Sequence, residues 1–221
     1  PFPDGVYRAQ FPYYYRNPEG MPQEAALDYY LNSIKDVFEQ CGPADSIAAI
    51  VVEPLQGEGG FIPAPIEWVK AVRKICDENG ILLVADEVQT GFCRTGRMFA
   101  TQYWEEAGVQ PDILATAKFI AAALKTIEIM ERDDLAGCSC EIGEKVSKRF
   151  NEWKEKYPVI GDVRGLGGMI GLEFVKDQKS KEPYPEFSAA VISGCAKKGL
   201  MIEGAGTYGN VIRFLAPLVM T

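Results

Sequence analysis

Histidine is absent from all 221 residues. That absence removes Ser-His-Asp and Cys-His nucleophilic mechanisms, together with any histidine-ligated metal. Cysteine is sparse and scattered: Cys41, Cys76, Cys93, Cys138, Cys140 and Cys195 offer one close pair, Cys138-Ser139-Cys140, and no second pair at zinc spacing. The pattern suits reduced thiols and a cytoplasmic location rather than a disulfide framework. No run of about eighteen apolar residues occurs, so nothing reads as a membrane-spanning helix. Basic residues number 23 against 31 acidic ones, and the net charge of -8 disfavours nucleic acid or an anionic membrane as partner. A leading methionine and a signal peptide are also missing. Pro1-Phe2-Pro3-Asp4-Gly5 reads as the interior of a longer protein, and the chain is taken as a fragment.

What is present suits an ordinary globular fold, with 47% apolar residues and enough length for a sizeable core. Residues 1–22, rich in Pro, Tyr and Arg, read as a surface loop. Helical spacing of Ala26, Leu27, Tyr30, Leu31, Ile34, Val37 and Phe38 predicts a helix over 23–40. The continuous apolar run 46–52 predicts a strand covered on both faces, ending at Glu53-Pro54. Pro65 opens a second helix with Trp68, Val69, Val72, Ile75 and Cys76 inward, and Asn79-Gly80 closes it. A strand to Asp86, a short helix near 99–107 and a strand from Asp112 to Lys118 follow. Strands alternating with helices predict a parallel-rich sheet of α/β class. Residues 123–156 read as one long helical region. Strands at 169–175, 200–202 and 210–215 and a helix near 186–198 complete a smaller α+β part, whose first strand alternates enough to leave one face exposed. The boundary is drawn at 1–122 and 123–221.

Asp86 and Lys118 stand at the carboxyl ends of two predicted strands, where α/β sheets bind ligands. A deprotonatable lysine can form a Schiff base and a carboxylate can hold a pyridinium nitrogen, and pyridoxal phosphate needs both. Taken alone, the two could equally be a surface lysine and a helix-capping aspartate. Arg213 lies late in the apolar run Val211-Ile212-Arg213-Phe214-Leu215, where a charge requires a partner. Arg94 and Arg164 read as structural ties, and Glu105-Glu106 as a solvated helix face. A Rossmann nucleotide site is excluded, because no Gly-x-Gly-x-x-Gly turn joins a strand to a helix; Gly165-Leu166-Gly167-Gly168 precedes a strand and reads as a turn.

Three ordered motifs sharpen this reading: Glu53-Pro54-Leu55-Gln56-Gly57-Glu58-Gly59-Gly60-Phe61, then Asp86-Glu87-Val88-Gln89-Thr90-Gly91 through Gly96, then Thr116-Ala117-Lys118. With Val163-Arg164-Gly165-Leu166-Gly167-Gly168 and Asn210-Val211-Ile212-Arg213, they resemble the class III aminotransferases, pyridoxal-phosphate enzymes of the aspartate-aminotransferase-like fold. The likeness runs over 45–121 and from 124 to the end, and is nearest the 4-aminobutyrate branch. The resemblance implies that Lys118 bonds the cofactor and shuttles a proton, that Asp86 pairs with the pyridine nitrogen, that Val88 packs on the ring and that Gln89 reaches its phenolic oxygen. It further implies that Arg213 grips the α-carboxylate of glutamate or 2-oxoglutarate, with Glu58 as its exchangeable partner; the alternative for this pair is an inter-domain salt bridge. Glu53 would tune a second substrate-carboxylate site. A homodimer or higher oligomer, an amine donor and a 2-oxo acid acceptor are implied as partners.

The chain also departs from the pattern. Lys118-Phe119-Ile120-Ala121 passes directly to Ala122-Ala123-Leu124, where the family carries about forty further residues including phosphate-binding ones. The expectation is a segment lost to disorder, marked by a break well above the ~3.8 Å Cα spacing; a continuous peptide would mark a deletion. Other ω-amine, ornithine or acetylornithine aminotransferases, an aminomutase, and a cofactor-free binding homologue are the competing readings.

Overall fold

The structure is a computed structural model and describes residues 5–18, 20–117 and 120–220, apart from the side chains at 23 and 120–124. Along the chain run α1 (Gln23–Gln40), β1 (Ala49–Val52), β2 (Leu55–Gln56), β3 (Ile62–Pro63), α2 (Ile66–Asn79), β4 (Leu82–Asp86), α3 (Gln102–Glu106), β5 (Ile113–Ala115), α4 (Ile120–Arg132), α5 (Leu135–Lys156), β6 (Ile160–Leu166), β7 (Met169–Phe174), α6 (Pro185–Lys197), β8 (Glu203–Ala205) and β9 (Val211–Leu215). They form two compact units, each discontinuous in sequence. The first comprises Pro1–Val52, Ala64–Ala85 and Tyr103–Ala115; the second comprises Glu53–Pro63, Asp86–Gln102 and Thr116–Thr221.

In the first unit, β1 and β4 pair in parallel with Val52 opposite Ala85, and β5 completes the sheet in the order β1-β4-β5. Pro22 and Pro65 precede α1 and α2, and Gly80 takes a left-handed φ of 68° that ends α2 and admits β4. Ala26, Tyr30 and Ile34 of α1 and Trp68, Val69, Val72 and Cys76 of α2 form the core with Leu83 and Ala85. Each such large side chain is worth roughly 1.5–3 kcal/mol of burial. Asp112 accepts from Leu83 N and pairs with Arg73, both at 2.7 Å, bracing α2 to the sheet. One expectation fails here: Val51 is 65% exposed, so the apolar run of β1 is not covered on both faces by the described residues. The strand before Lys118 is also shorter than predicted, ending at Ala115.

The second unit is built on a sheet ordered β6-β7-β9-β8, with β6/β7, β7/β9 and β8/β9 all antiparallel. β7 is buried along its whole length, so the expected exposed face is absent. Leu172 and Phe174 pack beneath Phe187, Val191 and Ile192 of α6, while Leu55 and Phe61 beside the β2–β3 hairpin pack on Met169. The predicted helix over 123–156 is two helices. Asp134, at a left-handed φ of 46°, separates them and caps α5 by accepting from Gly137 N. The strand predicted at 200–202 falls instead at Glu203–Ala205, and Met201 is almost fully exposed. Gly165 and Leu166 belong to β6 rather than to a turn; Gly167 and Gly168 make the turn. α4 runs without interruption through 121–123, so the expected break is not found. Among the described residues no helix is long and apolar enough to cross a membrane.

Candidate active site

Glu53, Glu58, Asp86, Val88, Gln89 and Arg213 all fall within the second unit, so their mutual geometry is internal to one body. Lys118 lies outside the described residues. Asp86 is the last residue of β4 and is half-buried; its Oδ1 accepts from Val88 N at 3.0 Å, which turns the chain. The next side chain points into the protein. Glu87, 1% exposed, accepts from the Thr90 hydroxyl at 2.5 Å, Ala100 N at 3.1 Å and Thr101 N at 2.7 Å. A buried carboxylate with three donors locks the loop that follows β4. Sequence reasoning gave Glu87 no role; its signal was a carboxylate inside a turn with Thr90 three residues on. Val88, by contrast, presents half of its surface to solvent.

The 53–60 segment folds back on this loop. Glu53 follows β1 and accepts from Gly57 N at 2.8 Å. Burial pushes the Glu53 carboxyl up, against the lowering effect of the Gly57 N–H, and the Asp86 and Glu58 charges add to the rise. Glu53, Asp86 and Glu58 are therefore close enough to feel one another's charge. A Cβ on Gly57 would collide with the Gln89 side-chain amide, so the missing side chain is what lets these two loops meet. The Gln89 Oε1 atom is buried without a partner among the described residues. Such an orphan costs about 1–3 kcal/mol, which a hydroxyl-bearing ligand would recover.

The hairpin tip continues onto the second sheet. Arg164 of β6 and Arg213 of β9 both stand opposite Gly171 of β7, and Glu203 of β8 stands opposite Arg213. Gly171 leaves room for the backbone above it: a Cβ there would come within 3.0 Å of the Gly60 carbonyl. Gly60 O accepts from Arg164 Nε at 2.9 Å, and Gly206 N donates to the Glu58 carbonyl at 2.9 Å. With its backbone so held, Glu58 places its carboxylate on Arg213 NH1, and Glu203 takes Arg213 NH2 at 2.8 Å. Burial works against the Arg213 charge, yet Glu58 and Glu203 overcome it and hold its pKa above the ordinary guanidinium value. Glu203 was not foreseen, because its strand was placed three residues early. Arg94 and Arg164 serve as expected: Arg94 donates to Ala216 O at 3.0 Å, and Arg164 pairs with Asp162 and Glu173.

Comparison with known proteins gives the family. The Aminotransferase class-III family model matches residues 1–122 and 119–221. The chain belongs to the class III aminotransferases. The two parts of the match overlap at 119–122, just after Lys118. A relative from Bacillus subtilis (strain 168), named probable 4-aminobutyrate aminotransferase, is 37% identical over 256 residues, covering 100% of this chain and 58% of its own length. An alanine/serine racemase of Pyrococcus horikoshii is 34% identical, over 100% of this chain and 54% of its own length. A crystal structure of an amine transaminase from an uncultivated Pseudomonas species, in a PLP-bound form, superposes with a TM-score of 0.83 at 30% identity, over 96% of this chain and 56% of that one. This class III aminotransferase chain thus spans little more than half the length of the curated relatives it matches. Its described residues fit pyridoxal phosphate: a carboxylate at a strand end, an exposed apolar Val88 beside it, and a buried amide oxygen in need of a hydroxyl.

Proposed function

We propose that the protein transfers an amino group from an ω-amino acid, foremost 4-aminobutyrate, to 2-oxoglutarate with pyridoxal phosphate as cofactor, yielding the semialdehyde and glutamate. The observation that carries the reading is the Arg213–Glu58 pair, in which a guanidinium 14% exposed is neutralised by a carboxylate 78% exposed. An incoming α-carboxylate can take the planar guanidinium while Glu58 swings into water, where its charge is fully solvated. A donor without an α-carboxylate leaves the pair closed. One pocket can then serve an ω-amine and an α-amino acid in turn.

The bound cofactor supplies an electron-withdrawing ring that eases loss of the proton on the amine-bearing carbon. Asp86 holds the proton of the pyridine nitrogen, since a carboxylate partner favours the charged form. Val88 backs the ring and Gln89 orients it through the phenolic oxygen. Lys118 would be the residue that holds the cofactor, through its amine, and would move the proton at the reacting carbon. Glu53 tunes the second substrate-carboxylate site. The protein acts in the cytoplasm as a homodimer or higher homo-oligomer.

A cofactor-free homologue is the second reading, and the shortened stretch after Lys118 favours it, because phosphate-binding residues are among those the family carries there. Visible absorbance decides between the two. Added pyridoxal phosphate should give a protein-bound band that Lys118→Ala abolishes, whereas a wild-type protein with no such band loses the catalytic reading. Rates with a panel of ω-amines, and with L-alanine as a racemisation substrate, then identify the donor. Silence with 4-aminobutyrate would remove it as first choice.

A further inference from the structure

Arg213 has two carboxylate partners, and the proposed exchange uses only one of them. We infer that Glu203 is a specificity-determining residue: a second carboxylate that stays on Arg213 through both half-reactions and weakens the grip on substrates bearing an α-carboxylate. This rests on the reading of Arg213 given above.

The two partners differ in how they are held. Glu58 reaches Arg213 from a hairpin tip, so rotation of its side chain alone clears the guanidinium. Glu203 faces Arg213 directly across β8 and β9, a register that keeps the two side chains side by side whatever Glu58 does. It binds NH2, so it takes a hydrogen from one of the two two-point edges that a guanidinium presents and sets its negative charge beside the other. With Glu58 gone, Arg213 NH1 is released, and its buried Nε still has no partner among the described residues. A substrate carboxylate can therefore enter, but it meets a cation already half neutralised and a like charge close by. An uncharged residue at 203 would leave the whole positive charge to the substrate.

The test is the dissociation constant of 2-oxoglutarate, measured by calorimetry on the purified protein, with KM values for 2-oxoglutarate and for the ω-amine donor measured separately. Glu203→Gln should tighten 2-oxoglutarate about twofold to fivefold, as expected for removing one exposed charge–charge contact, and should lower its KM while leaving the donor KM in place. Glu203→Thr, a good strand former at the sheet edge, should do the same if the glutamine variant folds poorly. A lower melting temperature with unchanged affinity would make Glu203 a cross-strand brace and overturn the inference. Arg213→Lys separates the two layers. If it loses 2-oxoglutarate and Glu203→Gln gains nothing, this inference alone falls. If 2-oxoglutarate binds none of the proteins, or binds wild type and Arg213→Lys alike, the reading of Arg213 falls with it.

Discussion

Arg164 and Arg213 occupy one row of one sheet, on either side of Gly171, and each pairs with two carboxylates. Arg164 is 9% exposed and its partners Asp162 and Glu173 are 18% and 1% exposed, with Gly60 O as a further acceptor. Arg213 is nearly as buried, but Glu58 and Glu203 are 78% and 69% exposed. The guanidinium chemistry is the same in both places. What differs is where the counter-charges would go. Glu173 has no route to water, so separating it from Arg164 would strand a buried charge, whereas Glu58 can be traded for another carboxylate at little cost. Exposure of the partner thus divides a structural arginine from one suited to ligand exchange.

Denaturant unfolding should expose this difference most strongly at Arg164. Arg164→Met takes the cation away from the buried Glu173, which keeps the Asn210 amide as a donor, and should cost about 3–5 kcal/mol; a loss as small as that at a surface pair would erase the contrast. Gly171→Ala should cost about 1–3 kcal/mol by pressing on the Gly60 carbonyl, and it should disturb both arginines because the hairpin above them shifts. Arg213→Met should cost no more than about 1 kcal/mol, since its abandoned partners are already in water, while 2-oxoglutarate binding is lost.

The smallest effect belongs to Glu53, whose folded carboxyl is held above its ordinary value by burial. For a carboxyl raised on folding, the unfolded state loses its proton first, so stability falls as pH rises from the ordinary value through the folded one. Glu53→Gln keeps an acceptor for Gly57 N and should raise the Tm at pH 7. At a pH below the ordinary glutamate value the difference should vanish, and an equal gain at both pH values would reject burial as the cause.

Much of this architecture was legible beforehand. The α1 and α2 ranges followed from apolar spacing, with Pro65 and Gly80 as punctuation for α2, because helix ends depend on local backbone chemistry. Arg213 was marked as needing a partner because a charge in an apolar strand cannot stand alone, and Glu58 was named through the motif likeness. Less was legible where burial is set by distant residues. β7 shows no local sign that both its faces are covered, and β1 no sign that Val51 stays open. The break at Asp134 was hidden because Asp133-Asp134 reads as two more polar residues on a helix, although Gly137 supplies the space that its cap requires. Glu203 was missed because a three-residue shift in a short strand changes which side chain faces Arg213.

The order of the motifs, the residue types at Asp86, Gln89, Glu58 and Arg213, and the alternation of helices and strands were written in the chain itself, since each rests on local spacing or on chemistry that tolerates few substitutes. Tertiary structure alone decided which carboxylates are stranded and which can leave, that Gly171 seats a hairpin between two arginines, and that Gln89 keeps a buried oxygen in want of a donor. The reason is that solvent access and charge pairing belong to surfaces assembled from segments far apart in sequence, and no single stretch of residues carries them.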